Sequence, residues 1–115
     1  MGYFDAIDAD KDPLKAYSNW VETKILTSRS ERLVENTLGL VGEAGEVAEK
    51  VKKLIRDKSK FSNKDIIKEL GDVMFYVTAL ANYHGSDLRE VIEENIKKLE
   101  SRQSRGKLKG NGDDR

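Results

Sequence analysis

Apolar and polar residues alternate along the chain with the period of an amphipathic α-helix, in four separate stretches. The first stretch follows Asp12 and Pro13, a pair typical of a helix start because aspartate caps the helix and proline has a fixed φ. This stretch predicts a helix from Pro13 to Ile25 or Leu26. Its apolar positions lie three or four residues apart and are Leu14, Tyr17, Val21 and Ile25.

The second stretch is the longest and predicts a helix from a cap at Ser30 to about Arg56. Three glycines interrupt it, and each costs about 1 kcal/mol against alanine in a helix. They either weaken the helix or let another backbone or a ligand come close. A loop is predicted over Asp57–Phe61. The apolar stripe consists of Leu33, Val34, Thr37, Leu38, Val41, Ala44, Ala48, Val51 and Ile55, and the glycines are Gly39, Gly42 and Gly45.

The third and fourth stretches carry their own start and stop signals. Ser62 and Asp65 resemble a capping box for the third helix, and Gly85 is the predicted stop. Asp87 with Glu90 predicts the cap of the fourth helix. The sequence contains no repeat, heptad run or strand-like alternation. We therefore predict an all-α fold that resembles a four-helix bundle.

The composition limits the organisation and the chemistry. The 115 residues fit one domain, predicted over residues 13–103 between an N-terminal extension, residues 1–12, and a flexible tail, residues 104–115. Equal numbers of basic and acidic residues, 21 each, argue against nucleic acid or a membrane surface as partner. The longest apolar run, Val73–Val77, is too short to span a bilayer. The first residues are acidic and lack an apolar signal core, which predicts a cytoplasmic protein.

The inventory of reactive side chains is narrow. The chain has no cysteine, which excludes disulfides, thiolate nucleophiles and cysteine-ligated metal sites. The single histidine, His84, ends the third predicted helix, and we assign it a structural or capping role. Polar chemistry therefore depends on carboxylate, ammonium and guanidinium groups.

Two pairs of acids stand out on the second and third predicted helices. Glu43 and Glu46 are three residues apart, as are Glu69 and Asp72, so each pair shares a helix face. At 100° per residue, one acid of each pair borders the apolar face and the other lies about 60° outside it. A short loop makes the two helices antiparallel neighbours. We expect the four acids to converge at the edge of the seam between these helices.

Four carboxylates at close range repel one another, and a divalent cation relieves the repulsion. Ligands that are all oxygen favour Mg²⁺, with Mn²⁺ as an alternative. Acid pairs at this spacing also occur on ordinary solvated helix faces. The matched phase of the two pairs favours the metal site.

The fourth predicted helix carries a stripe of amide and cationic side chains. Asn95, Lys98 and Arg102 lie three and four residues apart, with Arg105 just beyond, and this stripe is a candidate phosphate-binding edge or a plain solvated face. Two aromatic residues are candidates for stacking on a nucleobase or for a place in the core. They are Trp20 and Tyr76, and Tyr76 lies at the same helix edge as Glu69.

The residues around the acids resemble a known family. The string from Gly39 to Val47, GLVGEAGEV, and the string from Glu69 to Tyr76, ELGDVMFY, are similar to the two signatures of the MazG-like nucleotide pyrophosphohydrolases. Together they have the form ExxE, 22 residues, ExxD. Asn95, Lys98 and Arg102 resemble the closing N-x-x-K-L-x-x-R pattern of that family. The resemblance covers roughly Leu14 to Gly106.

The resemblance implies an all-α core that forms a homodimer or homotetramer. It implies Mg²⁺ held by the four acids and hydrolysis of a nucleoside triphosphate to the monophosphate and pyrophosphate. Lys98 and Arg102 would contact phosphates and Asn95 would join the site. Related alternatives are an all-α dUTP hydrolase and a phosphoribosyl-ATP pyrophosphohydrolase. An alternative of another class is a non-catalytic helical interaction module.

Overall fold

The computed structural model describes residues 12–57 and 63–106, and these residues form four α-helices and no strand. This confirms the predicted all-α class and the number of helices. None of the described helices combines the length and the apolar character that a membrane crossing requires. The helices are α1, Pro13–Glu22; α2, Arg29–Arg56; α3, Asn63–Tyr83; and α4, Leu88–Ser104.

Helix α1 begins where the sequence predicts and ends earlier. The carboxylate of Asp12 accepts a hydrogen bond from the backbone N–H of Lys15, and Pro13 opens the helix. The predicted end at Ile25 or Leu26 is wrong, because α1 ends at Glu22. The next three backbone N–H groups bond to carbonyls three residues back, and the Thr23 hydroxyl also donates to the Trp20 carbonyl. These tighter bonds close the last turn and stop the α-helical ladder.

Helix α2 begins one residue before the predicted cap. Its N-cap is Ser28 and not Ser30, which lies inside the helix. The Ser28 hydroxyl bonds to the Ser30 hydroxyl, 3.2 Å away, and makes no capping bond to the backbone. The predicted end at Arg56 is confirmed.

Several predictions fall on residues outside the described part of the chain. These are most of the predicted loop, residues 58–61; the proposed cap Ser62; residues 1–11 of the N-terminal extension; and residues 107–115 of the tail. The start of the predicted tail, Ser104, belongs to α4.

The turn between α3 and α4 has the predicted form. Gly85 has a φ of 76°, a left-handed conformation that glycine adopts without steric cost and that ends α3. The Asp87 carboxylate then accepts the backbone N–H of Glu90 at 2.9 Å and caps α4. The Glu90 carboxylate accepts the Ser86 hydroxyl, so both acids of the predicted box stabilise this turn.

Helix α3 is the central element of the fold. It packs against α1, α2 and α4, and α1 also packs against α4. Between the middle of α1 and the start of α4, the buried Ser18 hydroxyl accepts the backbone N–H of Leu88. Within the described residues the core is small, and its buried apolar residues are Ala16, Val21, Ala79, Ala81 and Leu88.

A half-buried arginine joins three of the helices. The guanidinium of Arg32 on α2 donates two hydrogen bonds to the carboxylate of Glu22 on α1 and one to the Ala79 carbonyl on α3. Its Nε donates to the side-chain oxygen of Asn36 at 3.2 Å. The Arg32 side chain is 13% exposed, whereas that of Glu22 is 42% exposed, and together these bonds fix the position of the guanidinium.

Much of the predicted apolar stripe of α2 stays exposed in the single chain. Val34, Leu38 and Val41 are 62–65% exposed. At 100° per residue, Val34 and Val41 lie about 160–180° around α2 from Glu43, on the face that points away from α3. The radius of gyration is 17.0 Å, whereas a compact domain of this size has about 13 Å. The chain therefore presents an open helical arrangement with an uncovered apolar face.

Candidate metal centre

Three of the four predicted acids converge between α2 and α3. Carboxylate oxygens of Glu43, Glu69 and Asp72 lie within 4.8 Å of one another. The two helices run antiparallel here, since contacts pair early residues of α2 with late residues of α3, as in the Arg32–Ala79 bond. The acids lie at similar heights along the two antiparallel helices, as the sequence predicts. For this reason, side chains that are 26 or more residues apart in the sequence meet.

The fourth acid, Glu46, does not belong to that group of three. It lies one turn further along α2, and its charge contributes to the potential at Glu43. A cation that the sequence reasoning missed lies beside the cluster. The Lys50 ammonium is 3.6 Å from a carboxylate oxygen of Glu69. Lys50 follows Glu43 by seven residues, so the helix period alone places it on the same face, and that spacing is the signal that identifies it.

The electrostatics of the cluster are visible at Glu43. Partial burial of its carboxyl raises the pKa, and the negative charges of Asp72, Glu69 and Glu46 raise it further. This is the repulsion that the four-acid pattern predicts. A cation at the cluster would remove it.

Tyr76 lies one turn beyond the acids, packed on the backbone of α2. A side chain at Gly39 would overlap the Tyr76 ring, so glycine is required for the ring to lie there. Gly39 thus permits a close approach, but by an aromatic side chain and not by the backbone or ligand that the sequence suggests. At Gly42 and Gly45 the corresponding space is open.

Trp20 lies further from the acids than Tyr76. Its ring stacks on Tyr17 at a centroid distance of 5.8 Å and contacts the ring of Phe75 edge-on at 6.3 Å. Phe75 in turn contacts Tyr76 at 5.3 Å. The four rings form a continuous aromatic row from α1 to the seam between α2 and α3.

The candidate phosphate-binding residues of α4 lie apart from the acids in the single chain. Within the described residues, no Cα atoms of α2 and α4 come within 8 Å of each other. Asn95 and Lys98 line an open depression on α4 together with Val91, Glu94 and Lys97. Arg102 is 5% exposed and therefore buried, whereas Arg105 is exposed. The structure does not bring this set to the three converging carboxylates.

The donor set of the cluster fits a hard divalent cation. All candidate ligands are carboxylate oxygens, which Mg²⁺ and Mn²⁺ prefer, and their mutual distances allow one ion to bind them together. Asp72 is exposed and Glu43 and Glu69 are half-buried, so one side of the cluster is open to water and to a ligand.

The acids lie within a part of the chain that matches a known family. The sequence model of the MazG nucleotide pyrophosphohydrolase domain matches residues 32–106, which include all four acids. The chain belongs to the MazG family. The MazG match extends from the arginine that joins the helices to the end of the described part of the chain.

A curated phage protein is also similar to the chain. The Gene 37 protein of Mycobacterium phage L5 is 51% identical over 83 residues, which cover 69% of this chain and 73% of the phage protein. No solved structure has significant similarity to the chain. Membership of the MazG family identifies the chain as a nucleotide pyrophosphohydrolase domain, of a family that generally uses divalent metals.

The pKa of Glu43 predicts how stability depends on pH. Because the folded state raises this pKa above its ordinary value of 4.5, the folded protein holds the proton more tightly than the unfolded chain. The stabilisation that protonated Glu43 gives to the folded state is complete below the ordinary pKa. It is lost as the pH rises through the raised pKa of the folded state. We expect the melting temperature of the metal-free protein to fall over that range and Mg²⁺ to reverse the fall.

Thermal melts between about pH 4 and pH 8, with and without Mg²⁺, measure this effect. The control is Glu43→Gln, which cannot ionise and should flatten the part of the profile that Glu43 causes. An identical pH profile for Glu43→Gln and the unaltered protein would contradict the interpretation.

Proposed function

We propose that the protein is a Mg²⁺-dependent nucleoside triphosphate pyrophosphohydrolase that releases a nucleoside monophosphate and pyrophosphate. The observation that carries the proposal is the convergence of Glu43, Glu69 and Asp72 within 4.8 Å in a MazG domain. The intact acid set argues against a non-catalytic helical module. Mn²⁺ is the alternative ion.

Glu43, Glu69 and Asp72 would hold the metal, and Glu46 would complete the acid set from the next turn of α2. Mg²⁺ bound there would supply positive charge to phosphate oxygens and would make a water molecule more acidic. One of the four carboxylates accepts the proton of the attacking water. The water oxygen bonds to the α-phosphorus, the bond to the oxygen bridging the α- and β-phosphates breaks, and pyrophosphate leaves.

The remaining candidate residues bind the substrate. Asn95, Lys98 and Arg102 contact the phosphates, because phosphoryl transfer by positioned charge requires several phosphate oxygens to be held at once. Tyr76 and Trp20 contact the nucleoside from the aromatic row. Lys50 balances the charge of Glu69 when the metal is absent.

The protein acts as a homodimer or homotetramer in this proposal. The exposed face of α2 supports an assembly, because apolar side chains such as Val34 and Leu38 are otherwise left in water. An assembly can also bring α4 of one copy to the acids of another and so complete the site. The cytoplasm is the proposed location, with neither nucleic acid nor a membrane as partner.

The position of bond cleavage tests the reaction. The sequence lacks a P-loop with its terminal Lys-Ser/Thr, which is the usual structure for γ-phosphate transfer. Hydrolysis of a nucleoside triphosphate in ¹⁸O-labelled water should therefore place the label on the nucleoside monophosphate and leave pyrophosphate unlabelled. Mass spectrometry of the two products measures this. A nucleoside diphosphate and orthophosphate as primary products would overturn the assignment.

A further inference from the structure

A small cavity lies on the same seam as the acids, beyond Tyr76. It has a volume of about 140 Å³, and its walls include the Phe75 and Tyr76 rings and the turn between α1 and α2 at Leu26 and Thr27. Asn36 also lines this cavity, and this residue is only 3% exposed to solvent. A buried amide beside a cavity is a candidate for ligand recognition.

The orientation of the Asn36 amide is fixed by its neighbour. Nε of Arg32 can only donate, so the atom 3.2 Å from it must be the Asn36 side-chain oxygen. Arg32 is itself held by the Glu22 carboxylate and the Ala79 carbonyl. Rotation of the amide would place its nitrogen against the guanidinium. The Asn36 nitrogen, Nδ2, therefore keeps its place.

The nitrogen of this amide has no hydrogen-bond acceptor within the described residues. This nitrogen also retains some accessible surface. Among the described residues, the one side-chain N or O atom that has neither accessible surface nor a hydrogen-bond partner is Nε of Arg102. Lys24 and Glu35 line the same cavity, and neither forms a hydrogen bond with Asn36. The fixed N–H donor beside the cavity therefore has no protein partner within the described residues. A ligand that binds in this cavity should place a hydrogen-bond acceptor next to the Asn36 nitrogen.

The cavity lies at the right separation from the acids for the two ends of a nucleotide. Asn36 precedes Glu43 by seven residues, so both lie on one face of α2, about 10.5 Å apart along its axis at 1.5 Å per residue. Between them the Tyr76 ring lies against Gly39. A nucleotide whose phosphates are at the acids extends its base along this line toward Asn36.

The size of the cavity suits a base with a single ring. A cavity of about 150 Å³ in another protein holds a benzene molecule, so about 140 Å³ accommodates one six-membered ring. In a pyrimidine nucleotide the ring position opposite the sugar is C4. This position carries a carbonyl oxygen in uracil and thymine and an amino group in cytosine.

We propose that Asn36 is the residue that determines base specificity, and that its Nδ2 donates a hydrogen bond to the 4-carbonyl of a uracil or thymine nucleotide. The proposal rests on the proposed function for the position of the phosphates. Cytosine presents a second donor at the same point, and two facing donors leave both groups unsatisfied. The substrate class is therefore the 4-keto pyrimidine nucleoside triphosphates.

Binding of nucleoside monophosphates tests this without requiring turnover. Calorimetry with Mg²⁺ present compares dUMP with dCMP, which differ only in the group at C4 and the protonation of N3. We expect the unaltered protein to bind dUMP about tenfold more tightly than dCMP. The variant Asn36→Asp presents only acceptors, keeps the Arg32 contact, and should level or reverse this ratio. Asn19→Asp, on an exposed position of α1, is the control and should keep it.

The outcomes separate this proposal from the proposed function. Equal affinity for dUMP and dCMP in the unaltered protein overturns the role of Asn36, as does an unchanged ratio in Asn36→Asp. The comparison in the unaltered protein stands even if that variant fails to fold. If dUMP is preferred but no triphosphate yields pyrophosphate, the hydrolase proposal fails and the base site holds.

Discussion

Replacing Asp72 with asparagine is expected to reduce Mg²⁺-dependent pyrophosphate release by more than about 100-fold and to leave the helical fold intact. Asp72 is exposed and contributes one of the three carboxylates that lie within 4.8 Å. The amide preserves the shape of the side chain and removes a charge that binds the metal. Since like charges repel in the metal-free cluster, the variant should melt at the same or a higher temperature without Mg²⁺.

A matched control uses the same substitution away from the cluster. Asp57→Asn removes an exposed carboxylate that pairs with Arg56 at the end of α2, and it should keep full activity. Pyrophosphate release is measured with Mg²⁺ as the single divalent ion, and circular dichroism measures the helix content. Full activity of Asp72→Asn under these conditions would exclude the proposed metal site.

Placing a charge on the exposed face of α2 is expected to break the assembly. Val34 is 62% exposed in the single chain, and a surface substitution at such a site changes stability by roughly 0.5 kcal/mol or less in a monomer. If a second copy covers this face, Val34→Glu buries an unpaired carboxylate. Because the core of one chain is so small, loss of the partner should also lower the melting temperature strongly.

Light scattering coupled to size-exclusion chromatography measures the mass, and thermal melts measure the stability. The unaltered protein should have the mass of a dimer or tetramer, and Val34→Glu should shift toward a monomer. The control Gln103→Glu adds the same charge to an exposed position of α4 and should change neither value. A Val34→Glu protein with unaltered mass and melting temperature would show that this face is not an interface.

Local signals in the sequence were sufficient for the helices. Pro13 after Asp12, Gly85 and the Asp87 cap act through bonds between near neighbours, so the sequence places them to the residue. The two misplaced boundaries, at Glu22 and Ser28, depend on the turn between α1 and α2. In this turn, backbone hydrogen bonds between residues three apart replace the α-helical bonds between residues four apart. The spacing of apolar residues does not distinguish these two bonding patterns.

The acids could be aligned from the sequence because the helix has a fixed rise and a fixed angle per residue. These two constants place Glu43 opposite Glu69 and Asp72 once α2 and α3 are antiparallel. The rise and the angle per residue do not specify which other helices pack against α2 and α3. Hence the position of α4 relative to α2, and with it the place of Lys98, did not follow from the spacing.

The sequence by itself determined the helical class, the family and the phase of the acids, since all three depend on residue spacing within single helices. Only the tertiary structure decided which polar groups meet across helices. Arg32 meets Glu22 and Ala79, and its bond to Asn36 fixes the amide of that residue beside the cavity. Such contacts depend on the crossing of helices and the packing of side chains, which the order of residues along one helix does not specify.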